Sequence, residues 1–163
     1  MNTQPERFCA VIPAPFGAIG IRIKELLIHE LVYLPSSHRL KPASSALTQE
    51  CEHQLNAYFQ CAEVHFNLPL MDQGTLHQRK VWDAITAIPL GQVQTYGQIA
   101  RSIGSSPRAV GQACGANWFP LIIPCHRVTA ASGLGGFAHH SDEYGFHLSV
   151  KRWLLAHEGV HGF

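Results

Sequence analysis

Long apolar runs are missing from this sequence: it nowhere strings together the 18 or so apolar residues that a membrane-spanning helix needs. The segment Met1-Asn2-Thr3-Gln4-Pro5-Glu6-Arg7 also lacks the basic and apolar parts of a secretory leader, so a cytoplasmic location without membrane contact is expected. Charge is scarce too. Only 14% of the 163 residues are charged and the net charge is +1, so composition alone does not announce a polyanion as partner. No Cys-x-x-Cys pair occurs among Cys9, Cys51, Cys61, Cys114 and Cys125, which removes the usual signature of a zinc ribbon or a redox dithiol. An odd, dispersed set of cysteines also argues against a disulfide framework, and the first four read as small buried or half-buried apolar residues. What is present is a 46% hydrophobic composition, enough for compact folding throughout.

The two halves differ. Residues 1–75 hold five basic and seven acidic side chains, and residues 76–163 hold seven basic and four acidic ones, so the second half is the better candidate for touching phosphates. In the first half, Val11-Ile12, Ile19, Ile21, Ile23, Leu26-Leu27-Ile28 and Leu31-Val32-Tyr33 are punctuated by Pro13, Pro15, Gly17 and Gly20, which predicts a short antiparallel sheet. A Pro- and Ser-rich loop follows from Pro35. Ser45 is then placed to cap a helix whose Leu47, Cys51, Leu55 and Tyr58 recur at helical spacing. Residues 1–75 are expected to form an α+β domain without catalytic features. Zinc ligation by Cys9, His29 and His65 is weighed there against ordinary packing, which is preferred.

In the second half, Leu76, Val81, Ala84, Ile85 and Ile88 make an apolar stripe over a helix at 76–88 that ends at Pro89. Thr95-Tyr96-Gly97-Gln98 has the form of a capping box and predicts a helix with Ile99, Ala100 and Ile103 inward. Gly104-Ser105-Ser106 breaks it, and Pro107 suits the first position of another helix with Ala109, Val110 and Ala113 inward. Two short helices joined this way are a helix-turn-helix, which presents its second helix to nucleic acid. That second helix is rich in Gly and Ala. It fits close backbone approach to a minor groove, although on this segment alone tight helix packing is the slightly preferred reading of its small residues.

Pro124-Cys125-His126-Arg127-Val128 sets a thiol beside an imidazole. A neighbouring base or cation can lower a cysteine pKa from about 8.5 into roughly the 3.5–7.5 range, where the nucleophilic thiolate is populated. Neighbours on a strand point to opposite faces, so the dipeptide by itself decides little.

Taken in order, Gly91-Gln92-Val93-Gln94-Thr95-Tyr96-Gly97-Gln98-Ile99-Ala100, Arg108-Ala109-Val110-Gly111, Asn117, Pro124-Cys125-His126-Arg127-Val128 and Trp153-Leu154-Leu155-Ala156-His157-Glu158-Gly159 closely resemble the O6-alkylguanine-DNA alkyltransferases. The match covers residues 76–163. The resemblance implies an α+β protein with an N-terminal ribonuclease H-like domain (1–75) and a C-terminal winged helix-turn-helix-like domain (76–163) that binds DNA and accepts the alkyl group. It implies a single-turnover transfer of an alkyl group from O6 of guanine, and from O4 of thymine, to Cys125. By the same resemblance His126 is the base acting through a water, Glu158 orients that imidazole, Tyr96 crowds a phosphate and protonates guanine N3, and Asn117 links the helices to the cysteine segment. Arg108 would fill the gap left by a flipped base, while Thr95, Ala109, Gly111 and Gln112 would contact DNA in the minor groove. Pro120, Val128, Gly136 and Phe137 would line the lesion pocket. No cofactor and no metal are implied, and the partner is double-stranded DNA bound by a monomer.

One stretch departs from the family pattern. After Gly135-Gly136-Phe137 comes the polar run Ala138 to His147, in which His139, His140, Asp142, Glu143 and His147 lack a fixed metal-ligand spacing, so a solvated loop is preferred. Two other readings are set against repair. An alkyltransferase-like module binds damaged DNA without transfer but carries tryptophan at the cysteine position. A cysteine hydrolase or redox enzyme would turn over, and a dithiol mechanism has no second cysteine near in sequence.

Overall fold

The computed structural model describes residues 7–136 and 145–163. Two compact units divide between Asp72 and Gln73. In the first unit, β1 (Ala10–Ala14), β2 (Gly17–Lys24) and β3 (Leu27–Leu34) form an antiparallel sheet in the order β1-β2-β3. The register pairs Ile12 with Ile19 and Ile21 with Leu31, so the period of two gathers Ala10, Ile12, Ile19, Ile21, Leu31 and Tyr33 on one buried face. Between β2 and β3 the chain turns through Glu25 and Leu26, both at positive φ (53° and 62°), the signature of a two-residue hairpin. Leu26 is left exposed at its tip.

Helix α1 (Ala46–Gln60) starts where expected. Ser45 Oγ accepts from the Thr48 amide, and Thr48 Oγ1 accepts from the Ser45 amide, closing a capping box with threonine in the usual Glu/Gln position. Thr48, Cys51, Leu55 and Tyr58 form the buried row, and the expected Leu47 is only half-buried because the capping threonine takes the first inward position. Burial pushes the Cys51 thiol up to about 12 and leaves it inert. Cys61 overturns the reading of the non-catalytic cysteines as buried: it is exposed at the C-cap of α1, beyond the last inward turn.

The second unit opens with α2 (Leu76–Thr86), which stops two residues short of the expected end at 88. Leu76 is exposed, contrary to its place in the predicted stripe, because it sits in the uncovered first turn. The inward face is Val81, Trp82 and Ile85, with Ile88 buried just past the helix. Trp82 is the unexpected member. Its Nε1 donates to the Ala113 carbonyl at 2.8 Å, and its ring lies so close to Gly74, at φ +88°, that a Cβ there would come within 2.5 Å of it.

Short strand β4 (Gln94–Thr95) leads into α3 (Tyr96–Ile103), whose Thr95–Gln98 capping box forms as predicted. Gly104 ends α3 in the left-handed conformation at φ 69°. Ser106 then caps α4 (Pro107–Gly115), with proline in the first turn and Val110 and Ala113 buried. Beyond it, β5 (Val128–Thr129) pairs in parallel with β4, Gln94 opposite Val128 and Thr95 opposite Thr129. The chain closes with α5 (Phe146–His157), buried through Leu148, Val150, Lys151, Leu154 and Leu155. No described helix is long and apolar enough to cross a membrane.

Candidate active site

The site is built on an abrupt change of direction after Ile123. Pro124 sits at φ −80°, ψ 65°, and the Cys125 amide donates back to the Ile123 carbonyl at 2.8 Å, which makes an inverse γ-turn centred on the proline ring. Cys125–Arg127 continue as one 3-10 turn, closed by the Arg127 amide on the Pro124 carbonyl at 2.9 Å. This geometry answers the objection raised by the sequence. A strand would send residues 125 and 126 to opposite faces, whereas the tight turn buries both, Cys125 at 5% exposure and His126 at 1%. Just upstream, Leu121 is held at φ 77°, an uncommon conformation for a branched side chain.

Around the sulfur, Asn117 donates Nδ2 to Cys125 Sγ at 3.1 Å and to the Ile123 carbonyl at 2.9 Å, while its Oδ1 accepts from the Phe119 amide at 2.9 Å. Cys114, from the last turn of α4, brings a second thiol into the surroundings of Cys125. Sequence reasoning missed that neighbour because its distance along the chain hides it, although Cys114 lies one helical turn after the inward Val110. The thiol is pushed well above its ordinary value, first by the neighbouring Cys114 thiol, then by burial and by the charge Cys114 would carry, while Asn117 and Lys151 act the other way. The expectation of a lowered pKa is therefore corrected. Cys125 rests as a neutral thiol, because a second acidic sulfur and a dry environment outweigh its cationic neighbour.

His126 is held by the same turn. Its Nε2 is 2.8 Å from Glu158 Oε2, and both side chains are essentially inaccessible. A carboxylate only accepts, so the proton lies on Nε2 and Nδ1 carries the lone pair. Nδ1 is buried, and no described residue pairs with it. Burial lowers the His126 pKa, opposed by the bond and charge of Glu158, and the imidazole is neutral near pH 7. Glu158 is the C-cap of α5, where the helix dipole disfavours an anion. Arg127 offsets this: its Nε and Nη2 meet Glu158 Oε1 and Oε2 at 2.8 and 3.1 Å, and its Nη1 donates to the Ile88 carbonyl at 2.8 Å.

On the far side of the sulfur lies Lys151, fully buried on α5. Its ammonium donates to the Leu134 and Gly136 carbonyls at 2.7 and 2.8 Å and stands 5.9 Å from the centre of the Tyr96 ring. Burial lowers its pKa to about 8, and the charges that Cys114 and Cys125 would carry raise it. The sequence did hold a signal for it, a lysine on the inward row Leu148, Lys151, Leu155. Tyr96 starts α3 directly after β4, so the β4–β5 pairing sets its position relative to the cysteine turn; its hydroxyl donates to the Gly136 carbonyl at 3.2 Å. Burial raises its pKa above the ordinary tyrosine value, so the phenol keeps its proton. Gly135, at φ +75°, lies against that ring, and a Cβ there would be 3.0 Å from Tyr96 Cε2.

The remaining expected residues fall on two surfaces. Arg108 and Gln112 are exposed on α4, Ala109 and Gly111 are half-buried beside them, and Thr95 caps α3. A Cβ added at Gly111 would meet nothing within 4 Å among the described residues, so helix packing does not require this glycine. Pro120 and Gly136 are half-buried near the cysteine turn, and Val128 is fully buried on β5. Phe137 lies outside the described residues, as do His139, His140, Asp142 and Glu143; His147 packs its ring edge against Phe146. Among the described residues no three His, Cys, Asp or Glu side chains converge as a metal site.

Comparison with known proteins shows which family the chain resembles. The family described as 6-O-methylguanine DNA methyltransferase, DNA binding domain, matches residues 76–160, just over half the chain. A methylated-DNA–protein-cysteine methyltransferase of Methanosarcina acetivorans is 33% identical over 93% of this chain and 98% of its own length. A probable protein of the same name from Acanthamoeba polyphaga mimivirus is 41% identical over 80% of this chain and 81% of its own. Among solved structures, the O6-methylguanine methyltransferase of Mycobacterium tuberculosis superimposes with a TM-score of 0.73 at 35% identity, covering 91% of this chain and 90% of that one, and it has also been solved in complex with DNA. With a family match over half its length and relatives aligned nearly end to end, this chain belongs to the methylated-DNA–protein-cysteine methyltransferase family.

Proposed function

We propose that this protein repairs DNA by direct reversal, moving an alkyl group from O6 of guanine in a duplex onto Sγ of Cys125, once per molecule and irreversibly. The observation that carries the reading is the chain of contacts from Asn117 through Cys125 and His126 to Glu158, placed within the segment matched to the family. With Nε2–H committed to Glu158, the lone pair of His126 Nδ1 takes the thiol proton through an intervening water. Glu158 then stabilises the imidazolium, as the acid of a catalytic triad does, without itself being protonated. The sulfur attacks the alkyl carbon: the S–C bond forms, the C–O6 bond breaks, and its electron pair stays on the guanine. Tyr96 supplies a proton at guanine N3, and its raised pKa keeps that proton in place until charge develops on the base. A resting neutral thiol suits such an acceptor, because it stays unreactive until substrate and base act together.

O6 of a paired guanine is out of the sulfur's reach, so the base is rotated out at a cost of a few kcal/mol. Arg108, exposed on α4, enters the stack in its place, and Thr95 and Gln112 meet the flanking backbone. Open space beside Gly111 favours the close-approach reading of this thin helix over the packing one. In this reading residues 76–163 act as a winged helix-turn-helix-like DNA-binding and acceptor domain, and residues 1–75 as a ribonuclease H-like domain. The protein works as a cytoplasmic monomer, with Pro120, Val128, Gly136 and Phe137 bounding the lesion pocket. Incubation with a duplex containing O6-methylguanine, followed by intact mass and peptide mapping, tests the proposal. One methyl group on Cys125 and a restored guanine are expected; binding without any mass gain would identify a recognition module instead.

A further inference from the structure

Four of the five basic residues in the first 75 positions surround one cavity. Arg7, Arg22, Arg39 and Lys41 line a space of about 680 Å³ between the edge of β1 and the loop at 38–42, and no acidic side chain among the described residues lines it. Glu30 meets the charge of Arg22, but gathering the other three cations in a half whose net charge is −2 is electrostatically unfavourable unless an anion is there to meet them. The loop that carries two of them is anchored. Lys41 and Val11 exchange backbone hydrogen bonds at 2.9 and 3.0 Å, the His38 amide donates to the Pro35 carbonyl, and Lys41 Nζ donates to the Phe8 carbonyl at 2.9 Å. Arg22 is committed to the scaffold, paired with Glu30 and set 4.3 Å from the centre of the Phe8 ring. An ammonium has three donors, so Lys41 keeps two beyond Phe8, and Arg7 and Arg39 are exposed at the rim. The floor is apolar, formed by Phe8, Val11 and a half-exposed Leu40.

A cationic rim over an apolar floor, at a volume within the roughly 300–1,000 Å³ of ligand sites, suits a stretch of sugar-phosphate backbone, with the phosphate at the rim and the sugar against the floor. The cavity lies outside the segment matched to the family's DNA-binding domain. We propose that it is an accessory site for a nucleic-acid backbone phosphate, held by Arg7, Arg39 and Lys41. This rests on the DNA-repair reading for the identity of the polymer.

The full chain carrying Arg7→Gln and Arg39→Gln is compared with the parent protein for affinity to a long unmodified duplex across a salt series. Both side chains are exposed, and the Lys41–Phe8 and Arg22–Glu30 contacts remain. Losing two of the three cations on that phosphate is expected to flatten the slope of log K against log salt by up to about one and to weaken binding to all sequences alike. Transfer from free O6-benzylguanine to Cys125 should be unchanged, which shows that the variant is folded and active. An unchanged salt slope overturns the site. Amide shifts at Arg39, Leu40 and Lys41 provide the second arm: they should move on adding duplex and stay in place with inorganic phosphate at equal phosphate concentration. Equal saturation by inorganic phosphate means a small-anion site and overturns the proposal. If the parent protein itself takes no benzyl group, the repair reading fails separately.

Discussion

Asn117 donates its side-chain amide to the sulfur of Cys125 at 3.1 Å while binding the Ile123 carbonyl with the same nitrogen. One side chain therefore both ties down the turn that carries the nucleophile and favours its ionised form.

Asn117→Asp leaves an oxygen to accept from the Phe119 amide, but it removes the donors to the sulfur and to the Ile123 carbonyl and adds a negative charge beside the thiol. Losing the donor and gaining the charge both hold the thiol in its neutral form. Transfer from free O6-benzylguanine at neutral pH should slow by about tenfold or more, since each pKa unit changes the thiolate fraction tenfold. Rate measurements across pH check this: the profile should move to higher pH, and an unmoved profile would show that the amide only braces the turn.

Cys114 acts in the opposite sense, because its thiol and the charge it would carry raise the Cys125 pKa. Cys114→Ala removes both, so the Cys125 thiolate should form at lower pH and react faster with small alkylating agents at neutral pH. Mass spectrometry of iodoacetamide labelling at Cys125, followed over a pH series, reads this directly. Labelling no faster than in the parent protein would contradict the assignment.

Glu158→Gln breaks a buried cluster. It removes the charge that pairs with Arg127 and leaves one acceptor oxygen where His126 and Arg127 use two, and stripping one partner from a buried ion pair costs about 3–5 kcal/mol. A lower melting temperature and a transfer rate reduced by at least about a hundredfold are expected, with duplex binding retained in the folded fraction. Thermal melts and single-turnover kinetics measure the two effects separately.

Lys151 links stability to alkaline pH. Its folded pKa of about 8 lies below the ordinary 10.5, so between these values the unfolded chain binds a proton that the folded one has released, and stability from this group rises with pH across that window. Lys151→Met should abolish this rise. It should also slow transfer, because the loop carbonyls of Leu134 and Gly136 lose their donor and Cys125 loses a favourable charge. Denaturant melts followed from neutral pH up to 10.5 check the first effect.

His126 sets the acid limit. Its folded pKa lies below the ordinary 6.5, so its contribution to stability is full above that value and is lost as pH falls through the folded one. Transfer should fall over the same range as the base becomes protonated, and a rate that stays flat while NMR shows the His126 ring taking up its proton would exclude it as the proton acceptor.

Local signals are legible where local chemistry decides structure. The capping serine and threonine at 45 and 95, the proline opening α4 and the alternation through β1 to β3 each reflect interactions within a few residues. The family motifs bring Cys125, His126, Asn117, Tyr96 and Glu158 into one expected site. What escapes the sequence is set by distant contacts. Trp82 turns inward because Gly74 and the Ala113 carbonyl lie where its ring can reach them. Cys114 meets Cys125, and Lys151 meets the 134–136 carbonyls, only once α4 and α5 have packed. The sense of the Cys125 pKa escapes for the same reason, since the adjacent imidazole is visible in sequence and the second sulfur is not.

Position 111 offers a gauge of whatever visits α4 from outside. With no described atom within 4 Å of an added methyl, Gly111→Ala meets no resistance from the chain itself and should strengthen the helix by up to about 1 kcal/mol. Any loss of repair in that more stable variant would measure the snugness of a foreign surface, felt through a single carbon atom.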